Sequence, residues 1–325
     1  MSPRGLFLVL TLILFLSPGC LIAAGPKTEE GMQLYEAGRL DDARVSLEAA
    51  VREDLKDARA ASYLGRVFLA ARNPDRAVEW MGRSVALEPA SAEYHLWLAR
   101  AYGHQAMVAS VLKQPALARK VRKEFEEASR LDPDNLEARF GLIEFYLRAP
   151  AILGGSPKKA GEQAEEIRRR DALEGYRAAG RIAEHRKDLD LALAQYEAAG
   201  REFPEQIEPF YWIGALLVRK GDYARAFDVY EKVLESNPSE IKACYQIGRV
   251  ASLSGQRLEH GKECLTLYLQ YKPKPDEPSL AFAHYWLGLL YEKIGNRELA
   301  RREYSAALDL EPSLPEARAA LKKVS

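Results

Sequence analysis

Groups suited to metal or thiol chemistry are scarce: three cysteines and five histidines in 325 residues. The histidines, His95, His104, His185, His260 and His284, are scattered, and no H-x-x-x-H or H-E-x-x-H spacing joins any two of them. No metal site and no cofactor are therefore expected. The sequence also lacks a G-x-S-x-G elbow, a dinucleotide-binding glycine fingerprint and a phosphate loop of the G-x-x-x-x-G-K-[ST] type. Charge of one sign is missing as well, since Lys plus Arg and Asp plus Glu each number 47. A net charge of zero gives no electrostatic footprint for a polyanion, so no nucleic acid is expected as a partner.

What is present first is an apolar N-terminus, "MSPRGLFLVLTLILFLSPGCLIAAGPK". One arginine, an apolar run over residues 6–16, a Pro-Gly break and small residues give the layout of a secretory signal over residues 1–24. The run is shorter than the ~20 residues a bilayer span requires. Its continuation through Leu21 and Ile22 leaves an uncleaved anchor open. Cleavage after Ala24 fits the small-residue pattern. Cys20 is a rival site as a lipidated cysteine, although Ser17-Pro18 stands where lipoprotein boxes carry Leu and a small residue. Each reading exports the chain to the periplasm or envelope and restricts membrane contact to an N-terminal lipid or an uncleaved signal.

The remainder repeats itself. "YLGRVFLAARNPDRAVEWMGRSVALEP", "WIGALLVRKGDYARAFDVYEKVLESNP" and "WLGLLYEKIGNRELARREYSAALDLEP" align without gaps. They share Gly65/Ala77/Met81/Pro89, Gly214/Ala226/Tyr230/Pro238 and Gly288/Ala300/Tyr304/Pro312; Gly180/Ala192/Tyr196/Pro204 fits the same spacing. Small residues let two antiparallel helices approach, the tyrosines fill the space beside them, and each proline ends a second helix. Gly221-Asp222 and Gly295-Asn296 stand where a first helix must turn into a second.

This pattern strongly resembles the tetratricopeptide repeat, a helix-turn-helix unit of about 34 residues. The resemblance implies an all-α, right-handed superhelical solenoid. Following the first-helix position through Gly31, Gly65, Ala99, Ile143, Gly180, Gly214, Gly248 and Gly288 divides the chain into units at 24–57, 58–91, 92–135, 136–172, 173–206, 207–240, 241–280 and 281–314, with a capping helix at 315–325. The chain also looks like exported bacterial proteins of this family that carry a Gly-Gly-Ser interruption.

Three steps of the repeat are long, at 44, 37 and 40 residues. In unit four, "YLRAPAILGGSPKKAGEQA" joins the first helix to the second. Ser156 as N-cap, Pro157 at the first helical position and a Gly154-Gly155 turn account for it mechanically. The partner motifs of an S-x-x-K nucleophile are absent. Cys244 and Cys264 both fall in unit seven, on facing helices; in an oxidising compartment they are either a disulfide or two separate buried thiols.

Tetratricopeptide solenoids mostly present a groove to peptides and partner proteins, which implies a non-enzymatic scaffold or adaptor of the cell envelope. The alternative is an accessory substrate-recognition subunit of an exported enzyme system, for cell-wall or cytochrome maturation. The groove is read at fixed offsets from the small residue. One place after it stand Arg66, Arg100, Arg181 and Arg249; three before it stand Phe140, Arg177, Tyr211, Tyr245 and Tyr285. Arginine forks suit carboxylates and tyrosines give rigid contact area, so the expected partner is an acidic, extended protein segment. The competing expectation pairs these arginines with acidic residues of neighbouring helices.

Overall fold

The computed structural model describes residues 25–274 and 277–324. The signal segment and Cys20 lie outside the described residues. Eight helix pairs follow one another: α1 (Pro26–Glu36) with α2 (Leu40–Glu53), α3 (Ala58–Ala70) with α4 (Pro74–Leu87), α5 (Ala92–Val108) with α6 (Gln114–Leu131), and α7 (Leu136–Arg148) with α8 (Pro157–Arg170). Then come α9 (Ala172–His185) with α10 (Leu189–Glu202), α11 (Glu208–Lys220) with α12 (Tyr223–Ser236), α13 (Ile241–Ser254) with α14 (Leu258–Tyr268), and α15 (Leu280–Ile294) with α16 (Arg297–Leu310). A last helix, α17 (Pro315–Val324), closes the array on α16. Among the described residues there is no strand, and the architecture is an all-α solenoid. Helices α9 and α15 begin at Ala172 and Leu280, one residue ahead of the unit boundaries drawn at 173 and 281.

Local chemistry sets the helix ends. The side chains of Asp57, Asn73, Ser91, Asn135, Asp171 and Asp222 each accept a hydrogen bond from an N–H of the following first turn, which satisfies donors that the helix itself leaves orphaned. At the other end Gly221 and Gly295 take the left-handed conformation, with φ of 77° and 87°, where the first helix turns back.

Close approach within a pair explains the repeated small residue. A Cβ on Gly180 would lie 2.1 Å from a ring carbon of Tyr196, and one on Gly214 would lie 2.4 Å from Tyr230. Unit four exchanges the sizes: the large Ile143 takes the first-helix place, and Ala164, four places after Ala160, stands where the aligned units carry tyrosine or methionine, all three buried in one cluster. Each helix packs on its successor. First helices also touch across units, α1 with α3, α3 with α5, α5 with α7, α7 with α9 and α13 with α15, but this contact is all but lost between α9, α11 and α13.

The unit-four interruption is a built turn. Residues 151–153 form one 3-10 turn, Gly154 has a φ of 99°, and a Cβ on Gly155 would fall 1.7 Å from the Ala149 carbonyl oxygen. Ser156 Oγ accepts from the Lys159 N–H at 3.3 Å, and Ser156 N donates to the Tyr146 carbonyl at 2.8 Å. The Ser156 hydroxyl is thus used as a cap. Ser156→Ala is expected to destabilise the protein by about 1 kcal/mol in urea unfolding.

Candidate functional site

The face of the first helices between α9, α11 and α13 holds a cavity of about 440 Å³, where the thin contact between those helices leaves room. Arg177, Arg181 and Glu184 reach it from α9, Tyr211, Trp212 and Arg219 from α11, and Gln246 and Arg249 from α13; Tyr196 and Tyr230 form its floor from the second helices. A smaller cavity of about 230 Å³ continues it toward the N-terminus, between Arg100, Glu137, Phe140, Glu144, Arg177 and Arg181. Arg100, Arg177, Arg181, Tyr211 and Arg249 therefore share one continuous surface.

The other predicted groove residues do not join it. Arg66 is only 5% exposed, lies over the rings of Tyr63 and Trp97 at 4.1 and 4.4 Å, and pairs with Glu93. Its guanidinium is a structural stack between α3 and α5, because the flanking rings cover both of its faces. Tyr245 is 6% exposed and accepts a hydrogen bond from Trp286 Nε1 at 2.8 Å. Tyr285 is half-buried against Trp286 and Tyr304.

Most of the arginines meet carboxylates of the protein itself. Arg100 donates to Glu137 at 2.9 Å, Arg181 pairs with Glu144 at 3.2 Å, and Arg219 pairs with Glu184. Arg177 lies 2.7 Å from Glu174 as an ion pair without hydrogen-bond alignment. Burial pushes the Glu174 carboxyl up against the opposing pull of Arg177. Of the two expectations, the pairing of these arginines with acidic residues of the protein holds for most of them: the stripe is a ladder of ion pairs, between units at Arg100, Arg181 and Arg219 and within α9 at Arg177. Such pairs position helices and contribute little net energy when exposed.

Arg249 is the exception. Its guanidinium donates to Gln246 at 3.3 Å and stands 5.7 Å from the Trp286 ring centre, with no carboxylate partner among the described residues. The sequence held the signal. A glutamate stands six places before the small residue in units three to six (Glu93, Glu137, Glu174 and Glu208), whereas unit eight has Phe282. Arg66 and Arg100 each take the glutamate of the next unit; for Arg249 that place is phenylalanine.

The hydroxyls at the cavity are held as donors. Tyr196 donates to Glu184 at 2.5 Å and Tyr211 to Glu240 at 2.9 Å. Burial first, and these bonds second, push both phenols well above their ordinary range. The lining has no Ser, Cys or His. Among the described residues no cluster of three His, Cys, Asp or Glu is set to hold a metal, and no helix is long and apolar enough to cross a membrane. Cys244 and Cys264 face each other as free buried thiols in hydrogen-bond contact. That bond holds Cys244 below the usual thiol range and, with burial, pushes Cys264 up.

Tetratricopeptide-repeat family models match residues 28–92, 207–240 and 281–314. The chain is a tetratricopeptide-repeat protein. Among solved structures, a tetratricopeptide repeat protein from Parabacteroides merdae is 14% identical, with a TM-score of 0.51 and coverage of 92% of this chain and 99% of that one. A monomeric IFIT1 mutant with Gppp-AAAA is 17% identical, with a TM-score of 0.53 over 90% of this chain and 70% of that one. At these identities the likeness shows the fold alone. The peroxisomal targeting signal receptor of Candida albicans is 25% identical over 68% of this chain, and a general transcriptional corepressor of Schizosaccharomyces pombe is 28% identical over 41% of it. The chain spans 36% and 12% of the length of those two relatives. The tetratricopeptide architecture is that of a protein–protein interaction scaffold.

Proposed function

We propose that this tetratricopeptide-repeat protein is a non-enzymatic adaptor of the bacterial cell envelope, and that its first-helix groove holds an extended segment of a partner protein by an acidic group. The envelope assignment is supported by the signal-like residues 1–24. The binding mode is supported by one observation above the others: Arg249 borders the larger cavity without a carboxylate of its own. The neighbouring arginines are already neutralised, so the acidic specificity is concentrated at a single point. Tyr211 and Trp212 share the cavity with it as rigid, low-entropy contact area, and an arginine fork suits a carboxylate. An extended segment fits because the two cavities run on from each other along α5, α7, α9, α11 and α13.

Partner recovered from a native envelope fraction with wild-type bait, then titrated as purified protein, tests this. Arg249→Glu is expected to weaken binding at least about tenfold, because it places like charge against the partner carboxylate. Arg181→Glu should cost less, since Glu144 already occupies that guanidinium. Lys232→Glu on α12, outside the groove lining, should leave affinity unchanged. Circular dichroism should match wild type in all three. Equal affinity of wild type and Arg249→Glu rejects the groove as the binding surface.

A further inference from the structure

Two of the three long steps of the repeat fall in neighbouring units, three and four, at their turns from first to second helix. The turn of residues 109–113 joins α5 to α6, and that of residues 149–156 joins α7 to α8. Helix α6 runs from one to the other: the Arg122 guanidinium, nine residues beyond the first turn, packs against Gly154 in the second. Both turns hold aliphatic side chains out to water. Met107, Val108, Val111 and Leu112 are exposed around the first and Ile152 on the second, Leu112 and Ile152 at 92% each. A cavity of about 340 Å³, bordered by Leu69, Met107 and Val108, continues the apolar strip toward the turn of unit two. Exposed aliphatic side chains grouped on the turns of neighbouring units mark a contact surface, where isolated exposed residues need no account.

Cations outnumber acids beside it, with Arg122, Arg148 and Lys158 paired to Glu126, Glu144 and Glu162 and the others unpaired by carboxylates among the described residues. Residues 107–123 carry Lys113, Arg119, Lys120, Arg122 and Lys123 and no aspartate or glutamate. Residues 148–161 carry Arg148, Lys158 and Lys159 and again no acid. The corresponding turns elsewhere are acidic or mixed, with Asp41 and Asp42 in unit one, Asp188 and Asp190 in unit five and Asp222 in unit six. Lys113, Arg119 and Lys120 form no ion pair among the described residues; Lys120 instead stands 5.0 Å from the Tyr102 ring centre. On a chain of zero net charge this is local segregation, which the overall balance conceals.

We propose that this edge of units three and four rests on an anionic lipid surface, with Val108, Val111, Leu112 and Ile152 entering the interface and the cations meeting the headgroups. Aliphatic side chains ringed by Lys and Arg gain apolar burial and electrostatic attraction together at such a surface. A bilayer is favoured over an acidic protein because the exposed apolar groups sit on projecting turns and include no aromatic ring, whereas protein interface cores draw on aromatic anchors. The membrane contact expected from the N-terminus alone is thereby extended to the folded array. The inference is independent of the groove, which lies on the first-helix face.

Hydrogen exchange on the full chain tests it locally, so an N-terminal segment that binds lipid by itself does not obscure the result. The probes are vesicles of phosphatidylcholine, vesicles of phosphatidylcholine mixed with phosphatidylglycerol, and soluble polyglutamate. The mixed vesicles should slow exchange in residues 107–117 and 149–156 while leaving the turns at 186–190 and 221–223 unchanged. Leu112→Asp with Ile152→Asp should abolish that protection. Lys113→Glu with Lys158→Glu should weaken it at least about tenfold in vesicle concentration. These side chains are exposed, so the variants keep the fold, which circular dichroism checks. No protection at the two turns, or protection undiminished in both variants, overturns the proposal. Equal protection by polyglutamate overturns it in favour of an acidic protein.

Discussion

Gly214→Ala lowers the stability of the solenoid by about 3 kcal/mol, the upper end of ordinary overpacking. The methyl group would lie 2.4 Å from Tyr230 Cζ, 2.7 Å from its hydroxyl oxygen and 2.8 Å from Cε1. The ring is hemmed in except toward the cavity whose floor it forms. Tyr230 is buried and packs at 5.8 Å against Tyr211 within a cluster that extends from α9 to α15. Relief comes from displacing that packed ring or from moving α11 off α12, and either loses contacts along the pair. Tyr230→Ala removes the obstacle and costs about 3–5 kcal/mol by itself through the cavity it leaves. In the double variant the two costs should fall short of their sum by at least about 1 kcal/mol. Urea unfolding followed by circular dichroism measures all three, and strict additivity would show that the glycine is not held there by the tyrosine. Gly161→Ala is the contrast. No atom lies within 4 Å of that Cβ position inside α8, so the same substitution should stabilise by up to about 1 kcal/mol through helix propensity alone.

The difference between these two glycines shows what a sequence of this class makes legible. The period, the small first-helix residue and the tyrosine sixteen places on express local packing and recur unit after unit, so eight units can be read directly. The Ser156 cap and the Gly154-Gly155 turn are legible for the same reason, being short-range backbone chemistry. The groove was legible only by position. Offsets located Arg100, Arg177, Arg181, Tyr211 and Arg249 on one surface, but gave no account of what else reaches it. Glu144 and Glu184 approach from the adjoining units, and the net charge at a point depends on that spatial neighbourhood. Arg66 and Tyr245 were lost to the interior because their neighbours, Trp97 and Trp286, cover them. Composition misled in the opposite direction at the 107–123 and 148–161 stretches, where a balanced total hides cations without acids. An average over the chain carries no information on how charge is sorted among its surfaces.

His95→Ala is expected to destabilise the protein by about 3–5 kcal/mol, and no sequence motif announces it. His95 on α5 and Glu124 on α6 are both buried, with Nδ1 and Oε2 at 2.5 Å. The second ring nitrogen, Nε2, faces the Pro89 carbonyl oxygen at 3.1 Å. Both nitrogens thus stand opposite oxygen atoms. The pair ties the start of unit three to the end of unit two and joins α5 to α6 beyond the turn of residues 109–113. Removing the imidazole leaves the Glu124 carboxylate in the interior without its donor and the Pro89 carbonyl unpaired, and an unpartnered buried charge costs far more than the pair contributes. At about 2–4 °C per kcal/mol for a domain of this size, the midpoint of thermal unfolding should fall by roughly 10 °C. The deficit belongs to the stranded carboxylate rather than to lost volume, so His95→Phe should be nearly as damaging as His95→Ala. Adding Glu124→Leu to His95→Phe should bring stability back to within about 1 kcal/mol of wild type, because an apolar pair of similar volume replaces a buried ion pair at little net cost. Scanning calorimetry on the four proteins decides the matter. If His95→Phe alone melts with the wild type, the histidine is packing volume and the bond to Glu124 contributes nothing.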